Sequence, residues 1–209
     1  MNAYKFLLAD RVSPFSGVAW PAEGWIEANG TLVACRSGIH ACRPRDLAYW
    51  LTEHLWQVEL DGEVIDHELK VVAKRARLLR PIAAWDAEAQ RDFVRMCLGR
   101  VVHHAAVEAA EAVPEHAAAL ASAGQGDDLE AVRRAARAVE AALPQEARVA
   151  GRLAGFVEDA VDWIELPPAA LAYVAAHAAD SRSGPIPDDP FVAERALQSR
   201  WLAERLRLD

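Results

Sequence analysis

Leu55-Trp56-Gln57-Val58-Glu59-Leu60-Asp61-Gly62-Glu63-Val64-Ile65 alternates as a strand, stops at Asp61-Gly62 and starts again. Side chains with a period of two belong to a strand that buries one face. Asp-Gly is a two-residue turn signal. The stretch therefore predicts a hairpin folded at Asp61-Gly62, and with it a sheet-containing first half.

Working downstream, Lys70 to Leu79 predicts a longer strand with Val71, Ala73, Arg75, Arg77 and Leu79 on one face. Lys70, Lys74, Arg75, Arg77 and Arg80 make it the one basic element of the chain. Two readings stand: an edge strand guarded by charge against aggregation, and a strand that faces phosphate. Upstream, Pro44 suits the first position of a helix that runs through Thr52, with Leu47, Trp50 and Leu51 on its apolar face. Before that helix, Thr31–Ala34 and Ile39–Cys42 read as short strands around a turn at Ser37-Gly38. Ala3–Leu8 reads as the first strand, with Tyr4 and Lys5 on opposite faces. Pro14, Gly17, Pro21, Gly24 and Gly30 break any regular element between Asp10 and Gly30. Phe15, Trp20 and Trp25 lie among them, so this loop either folds over a core or lines a pocket.

From Asp86 the texture changes to Ala-rich helical sequence, with Asp86 as an N-cap. Helices are expected over 86–112, 114–122, 128–142, 144–164, 168–179 and 190–207. The breaks fall at Pro114, Gly124-Gln125-Gly126, Pro144, Pro167-Pro168 and Gly184-Pro185, with Asp127 or Asp128 and Asp189 as caps. The expected fold class is α+β: a small mixed or antiparallel sheet with one or two helices in a domain of residues 1–85, then an all-helical domain of residues 86–209.

Composition limits the functions. The 209 residues are 53% hydrophobic and 26% charged, as in a folded globular protein. The net charge is -8, and residues 1–85 balance 10 basic against 10 acidic side chains, so the helical half holds the whole acidic excess. Such a body repels phosphate backbones, so nucleic acid is not an expected partner. No apolar run approaches the roughly 20 residues that span a bilayer, and no membrane is expected. The N-terminus lacks a secretory pattern, which with three cysteines gives the expectation of a cytoplasmic chain with free thiols.

The chemistry concentrates in Cys35-Arg36-Ser37-Gly38-Ile39-His40-Ala41-Cys42. Cys35, His40 and Cys42 are zinc-type ligands, with Cys97, His54 or His103 available as a fourth, but no Cys-x-x-Cys knuckle is present. Cys42 beside His40 could serve as an activated thiol. The plain alternative is that Gly38 serves a turn, His40 satisfies a buried hydrogen bond, and both cysteines are small core hydrophobes. A stripe of Phe93, Cys97, Val101, His104 and Glu108 on the first long helix is read chiefly as a core face with a polar end.

Tyr4-Lys5, the Gly-Ile-His-Ala-Cys stretch, the following helix and Trp56-Gln57-Val58-Glu59-Leu60 together resemble an uncharacterised bacterial and phage domain family with a Cys-x-x-Gly-[Phe/Ile/Leu]-His-Ala-Cys signature. The resemblance covers roughly residues 3–80. More distantly, the order of elements is similar to the ADP-ribosyltransferase-like fold, which implies NAD contacts from Tyr4 and Lys5, a middle strand over Ser37–Ala41 and a glutamate at Glu59 or Glu63. Departures from that pattern are a lysine in place of Arg or His on the first strand and no Ser-Thr-Ser run. Two hypotheses follow, with a zinc-stabilised version of either as a third. The first is a small-ligand or nucleotide-binding pocket built from Tyr4, Lys5, Cys35, His40, Cys42, Trp50 and Glu59, with NAD or zinc as the cofactors to consider. The second is a non-catalytic interaction module whose C-terminal helices form a homodimer or bind a partner.

Overall fold

The computed structural model describes residues 1–183 and 189–208. The expected break at Gly184-Pro185 lies outside the described residues. The architecture is α+β, an antiparallel five-stranded sheet followed by six helices. By packing, the chain divides into two compact units, Met1–Gln90 together with Ala196–Asp209, and Arg91–Arg195.

In the first unit the strands are β1 (Asn2–Leu7), β2 (Ile26–Glu27), β3 (Ile39–Ala41), β4 (His54–His67) and β5 (Lys70–Pro81). The long pair β4 and β5 is the frame: β1 pairs with β4, while β2 and β3 both pair with β5. A reciprocal pair of backbone hydrogen bonds between Tyr4 and Cys42, each 2.8 Å, then brings β1 back to the end of β3. The strands β1, β4, β5 and β3 therefore close into a ring. Ala3, Leu7, Ile39, Ala41, Val58, Leu60, Val71, Ala73, Ala76 and Leu78 fill it, with Trp20 packed among them.

Several expectations change here. First, Asp61-Gly62 is a bulge within β4, and the hairpin turns at Glu68-Leu69. Gly62 takes a left-handed φ of +74° there. The same left-handed preference that suits a two-residue turn lets one strand carry an extra residue. Second, β5 is central, paired on both sides, so it is not an edge strand. Register shifts at Gln57/Val58 and Asp61/Val64 change which residues face inward. Val71 and Ala73 share the interior with Ala76 and Leu78, while Arg75 and Arg77 face out. Third, Thr31–Ala34 forms no strand, only a Val33–Ser37 bridge, and the element after Pro44 is a 3₁₀ helix over Pro44–Tyr49.

The helices are α1 (Ala87–Ala109), α2 (Pro114–Ala123), α3 (Leu129–Ala142), α4 (Arg148–Asp162), α5 (Pro168–Asp180) and α6 (Pro190–Leu206). The expected caps form: the amides of Ala89, Ala131 and Val192 donate to the carboxylates of Asp86, Asp128 and Asp189 at 2.9, 3.0 and 3.1 Å. The core of the second unit is small-residue and aliphatic, including Leu120, Val139, Leu153, Val157 and Leu171, all fully buried. Among the described residues no helix is long and apolar enough to cross a membrane.

Candidate functional site

Past the Tyr4–Cys42 bridge, β1 and β3 part. Lys5 lies between Ala3 and Leu7 on the inward side of β1, and its Nζ donates to the His40 carbonyl at 2.7 Å, tying the two strands across the gap. A cavity of about 210 Å³ opens at this gap, lined by Tyr4, Lys5 and Phe6 of β1, His40 and Ala41 of β3, Cys42, the Ser13–Ser16 loop, Cys35, Trp50 and Lys70.

Six of the seven residues singled out from sequence thus border one opening: Tyr4, Lys5, Cys35, His40, Cys42 and Trp50. Glu59 does not. It stands opposite Arg77 on the outer side of the sheet, and its carboxylate accepts from Arg77 Nε at 2.7 Å. The pleat of β4 turns it away from the ring, and the glutamate expected at the site is absent from it. Nor do the middle basic residues of β5 face an open site: Arg75 pairs with Glu27 and Asp61, Arg77 pairs with Glu59, and Lys74 donates to the Gly30 carbonyl. Of that basic run only Lys70 reaches the cavity.

Backbone geometry holds the site together. Gly38 has φ +133°, and a Cβ there would lie 2.3 Å from Val72 Cγ1, so only glycine fits against β5. Cys35 takes a left-handed φ of 66° in the Val33–Ser37 turn, and its amide donates to His40 Nε2 at 3.3 Å. That bond leaves Nε2 as an acceptor and the imidazole neutral. Burial, then the positive charges of Lys70 and Lys5, push His40 down to about 4. Arg43 pins the β4–β5 turn by donating to the carbonyls of His67 and Glu68 at 2.8 Å. Next to that turn, Trp50 Nε1 donates to the Leu69 carbonyl at 2.8 Å, which fixes the indole. Phe15 meets it edge to face with ring centroids 5.9 Å apart. The aromatic loop does both of the things expected of it, since Trp20 is buried with its Nε1 on Ser13 Oγ at 2.8 Å while Phe15 stands at the cavity.

The electrostatics are one-sided. Lys70 is 8% exposed, its Nζ lies 2.8 Å from Cys35 Sγ and 5.4 Å from the Trp50 ring centroid. Burial pushes Lys5 down to about 8, with Lys70 adding to the effect and Cys42 opposing it. Cys42 donates its thiol to the Tyr4 carbonyl at 3.3 Å, and burial holds it up to about 12, so it is an inert core thiol. No carboxylate lines the cavity, and among the described residues neither Lys5 nor Lys70 forms an ion pair with one. All three cysteines are free, and among the described residues no group of three or more His, Cys, Asp or Glu is arranged to hold a metal ion.

Lys70 and Phe15 were not among the candidates from sequence, although one signal pointed to the first. Of the 23 basic residues only Lys5, Lys70 and Lys74 are lysine. Two of those three border the cavity.

The second unit holds its own buried polar cluster. Arg100 Nη2 and His104 Nε2 meet Glu194 Oε2 at 2.8 and 3.2 Å, and Arg100 Nε lies 3.1 Å from both carboxylate oxygens. Burial raises Glu194, but the hydrogen bonds from His104 and Arg100 outweigh it and hold the carboxyl below its usual range. Phe93, Cys97 and Val101 of the expected stripe are fully buried beside this cluster's helix face, and Glu108 instead accepts from the Ser183 amide at 3.0 Å.

Residues 1–90, which contain the cavity, match the model of a domain family of unknown function, DUF7666. No curated protein and no solved structure matches the chain.

Proposed function

We propose that the first unit binds a small anionic ligand carrying a planar ring, of the nucleotide or ring-bearing phosphate class. The observation that carries this reading is the pair of lysines, Lys5 and Lys70, facing a cavity with aromatic walls and no carboxylate in a chain of net charge -8. Desolvated cations without counter-charge cost stability unless something else supplies the charge. An anion in the cavity, held by Lys70, does so, and the Trp50 and Phe15 rings offer flanking apolar surface for a ring. The volume of about 210 Å³ falls below the roughly 300–1,000 Å³ of pockets for drug-sized ligands. It favours one ring with one anionic group, so a dinucleotide such as NAD would have to leave much of itself outside.

A thermal-shift panel on the full chain tests this, with nucleoside monophosphates, NAD, other ring-bearing phosphates and inorganic phosphate as the ringless control. A ligand at 100 times its Kd stabilises the fold by about 2.7 kcal/mol. The expected result is a saturable rise for a ring-bearing monophosphate that Lys70→Met and Trp50→Ala each abolish. No response across the panel, or a response that survives Lys70→Met, contradicts the reading.

A further inference from the structure

The reading of the cavity as an anion site leaves Lys5 with more than a binding role. The ion pairs described above are made by arginine: Arg100 with Glu194, Arg75 with Glu27 and Asp61, and Arg77 with Glu59. A guanidinium never gives up its proton, whereas a lysine amine does so when buried or beside another cation. Lys5 meets both conditions. It is half-buried on the inward side of β1 and desolvated there, Lys70 lies near enough to disfavour its charge, and it lines the cavity. The His40 carbonyl, at 2.7 Å, accepts an N–H from either the ammonium or the amine and holds Nζ in place through a change of state.

Resting on that anion-site reading, we infer that Lys5 is an amine nucleophile that forms an imine with an aldehyde or ketone held in this cavity, while Lys70 holds the same ligand's anionic group. The lone pair of the neutral Lys5 Nζ attacks the carbonyl carbon and gives a carbinolamine. Loss of the former carbonyl oxygen as water, carrying both amine protons, leaves the C=N bond. The step is a condensation and needs no oxidant or reductant. Buried lysines beside a second cation are used for this chemistry because the free amine is then present near neutral pH. Burial brings Lys5 down to about 8, which supplies that amine.

The scarcity of lysine makes the test clean, since Lys5, Lys70, Lys74 and the N-terminus are the chain's only amines. The full chain at about pH 8 is treated with substoichiometric pyridoxal 5′-phosphate, a ring-bearing phosphate with an aldehyde. The adduct is reduced with borohydride and located by peptide mass spectrometry. The expected result is one adduct on Lys5, at least tenfold over any other amine. Lys5→Arg, which keeps the cation and the donor to His40, should abolish it. Lys70→Met should raise the concentration for half-labelling about tenfold, and Lys74→Met should leave it unchanged. Pyridoxine 5′-phosphate, the alcohol analogue, is measured in parallel by thermal shift. If the analogue stabilises the protein through Lys70 but reduction leaves Lys5 unlabelled, or labels all amines alike, the imine inference is overturned and the anion site stands. If neither compound binds, both fall.

Discussion

Each unit sets a histidine among charged groups, His104 buried and His40 half-buried, and the two do so in opposite ways. Around Glu194 the charges cancel: one carboxylate takes an arginine on both oxygens and an imidazole on one. Around Lys5 and Lys70 they do not, for the neighbours are a carbonyl, a thiol, a neutral imidazole and aromatic rings. Removing one partner from a completed cluster strands the others, whereas a buried cation without a counter-charge carries an uncompensated desolvation cost, and it is this cost that a bound anion is proposed to relieve. Residue type alone does not distinguish the two, since both contain histidine, a cation and a nearby cysteine; the charge balance does, and on it rests the proposal of a binding site in the first unit.

Substitution separates the two clusters most strongly. Glu194→Leu strands Arg100 and His104, and a loss of about 3 kcal/mol is expected in urea unfolding, the lower end for a broken buried pair because Arg100 is partly exposed. Lys70→Met and Lys5→Met should change stability by no more than about 1 kcal/mol in either direction, because each lost hydrogen bond is offset by relief of a desolvated cation. Equal losses in both units would make the lysines structural and end the distinction. Gly38→Ala is expected to cost roughly 2–4 kcal/mol through overpacking against Val72 and a strained backbone, and to abolish ligand response with the fold of β3.

The pH dependence is a smaller effect and has a definite sign. His40 sits at about 4 in the fold against 6.5 when exposed, so between those values the unfolded chain binds the extra proton and stability falls as pH is lowered from 6.5 to 4. His40→Gln should flatten that limb of a stability–pH curve. Lys5, at about 8 against 10.5, acts at the other end. Its cost is whole below pH 8 and is relieved as pH rises from there. Above pH 9 the unfolded-state thiols reverse this, since Cys42 is held protonated up to about 12. The rise between pH 8 and 9 should vanish in Lys5→Met. An unchanged curve in either variant would remove the buried cations and neutral imidazole from the account. The smallest effect belongs to Glu59→Gln: within about 0.5 kcal/mol, as for other exposed pairs, with no change in ligand-induced shift.

Much of this was legible in the chain, and what was not has identifiable causes. Asp86, Asp128 and Asp189 cap helices and Pro114 and Pro168 begin them as expected, because caps and breakers act locally, while α4 starts at Arg148 and not at Pro144. Cys35, His40 and Cys42 stand out by their chemistry and clustering, whereas Tyr4 and Lys5 are singled out through the resemblance of the first strand to the ADP-ribosyltransferase-like fold. The Asp61-Gly62 turn could not be told from a bulge, since both need a left-handed glycine and only pairing across 14 residues of β4 decides between them. That bulge changed the facing of β5 in turn. Glu59 was misassigned because strand pleat, not proximity in sequence, determines which side of the ring a side chain meets. Lys70 was hidden in a run of basic residues whose other members are all neutralised or bonded outside the cavity.

The central claim is that the cavity between β1 and β3 awaits an anion. A thermal-shift titration of the full chain with a ring-bearing monophosphate, wild type beside Lys70→Met and Lys74→Met, tests it most directly. The account predicts a saturable rise of about 5–10 °C near 100 times Kd in the wild type and Lys74→Met, and none in Lys70→Met. A flat titration of the wild type, or an equal rise in all three proteins, would contradict it.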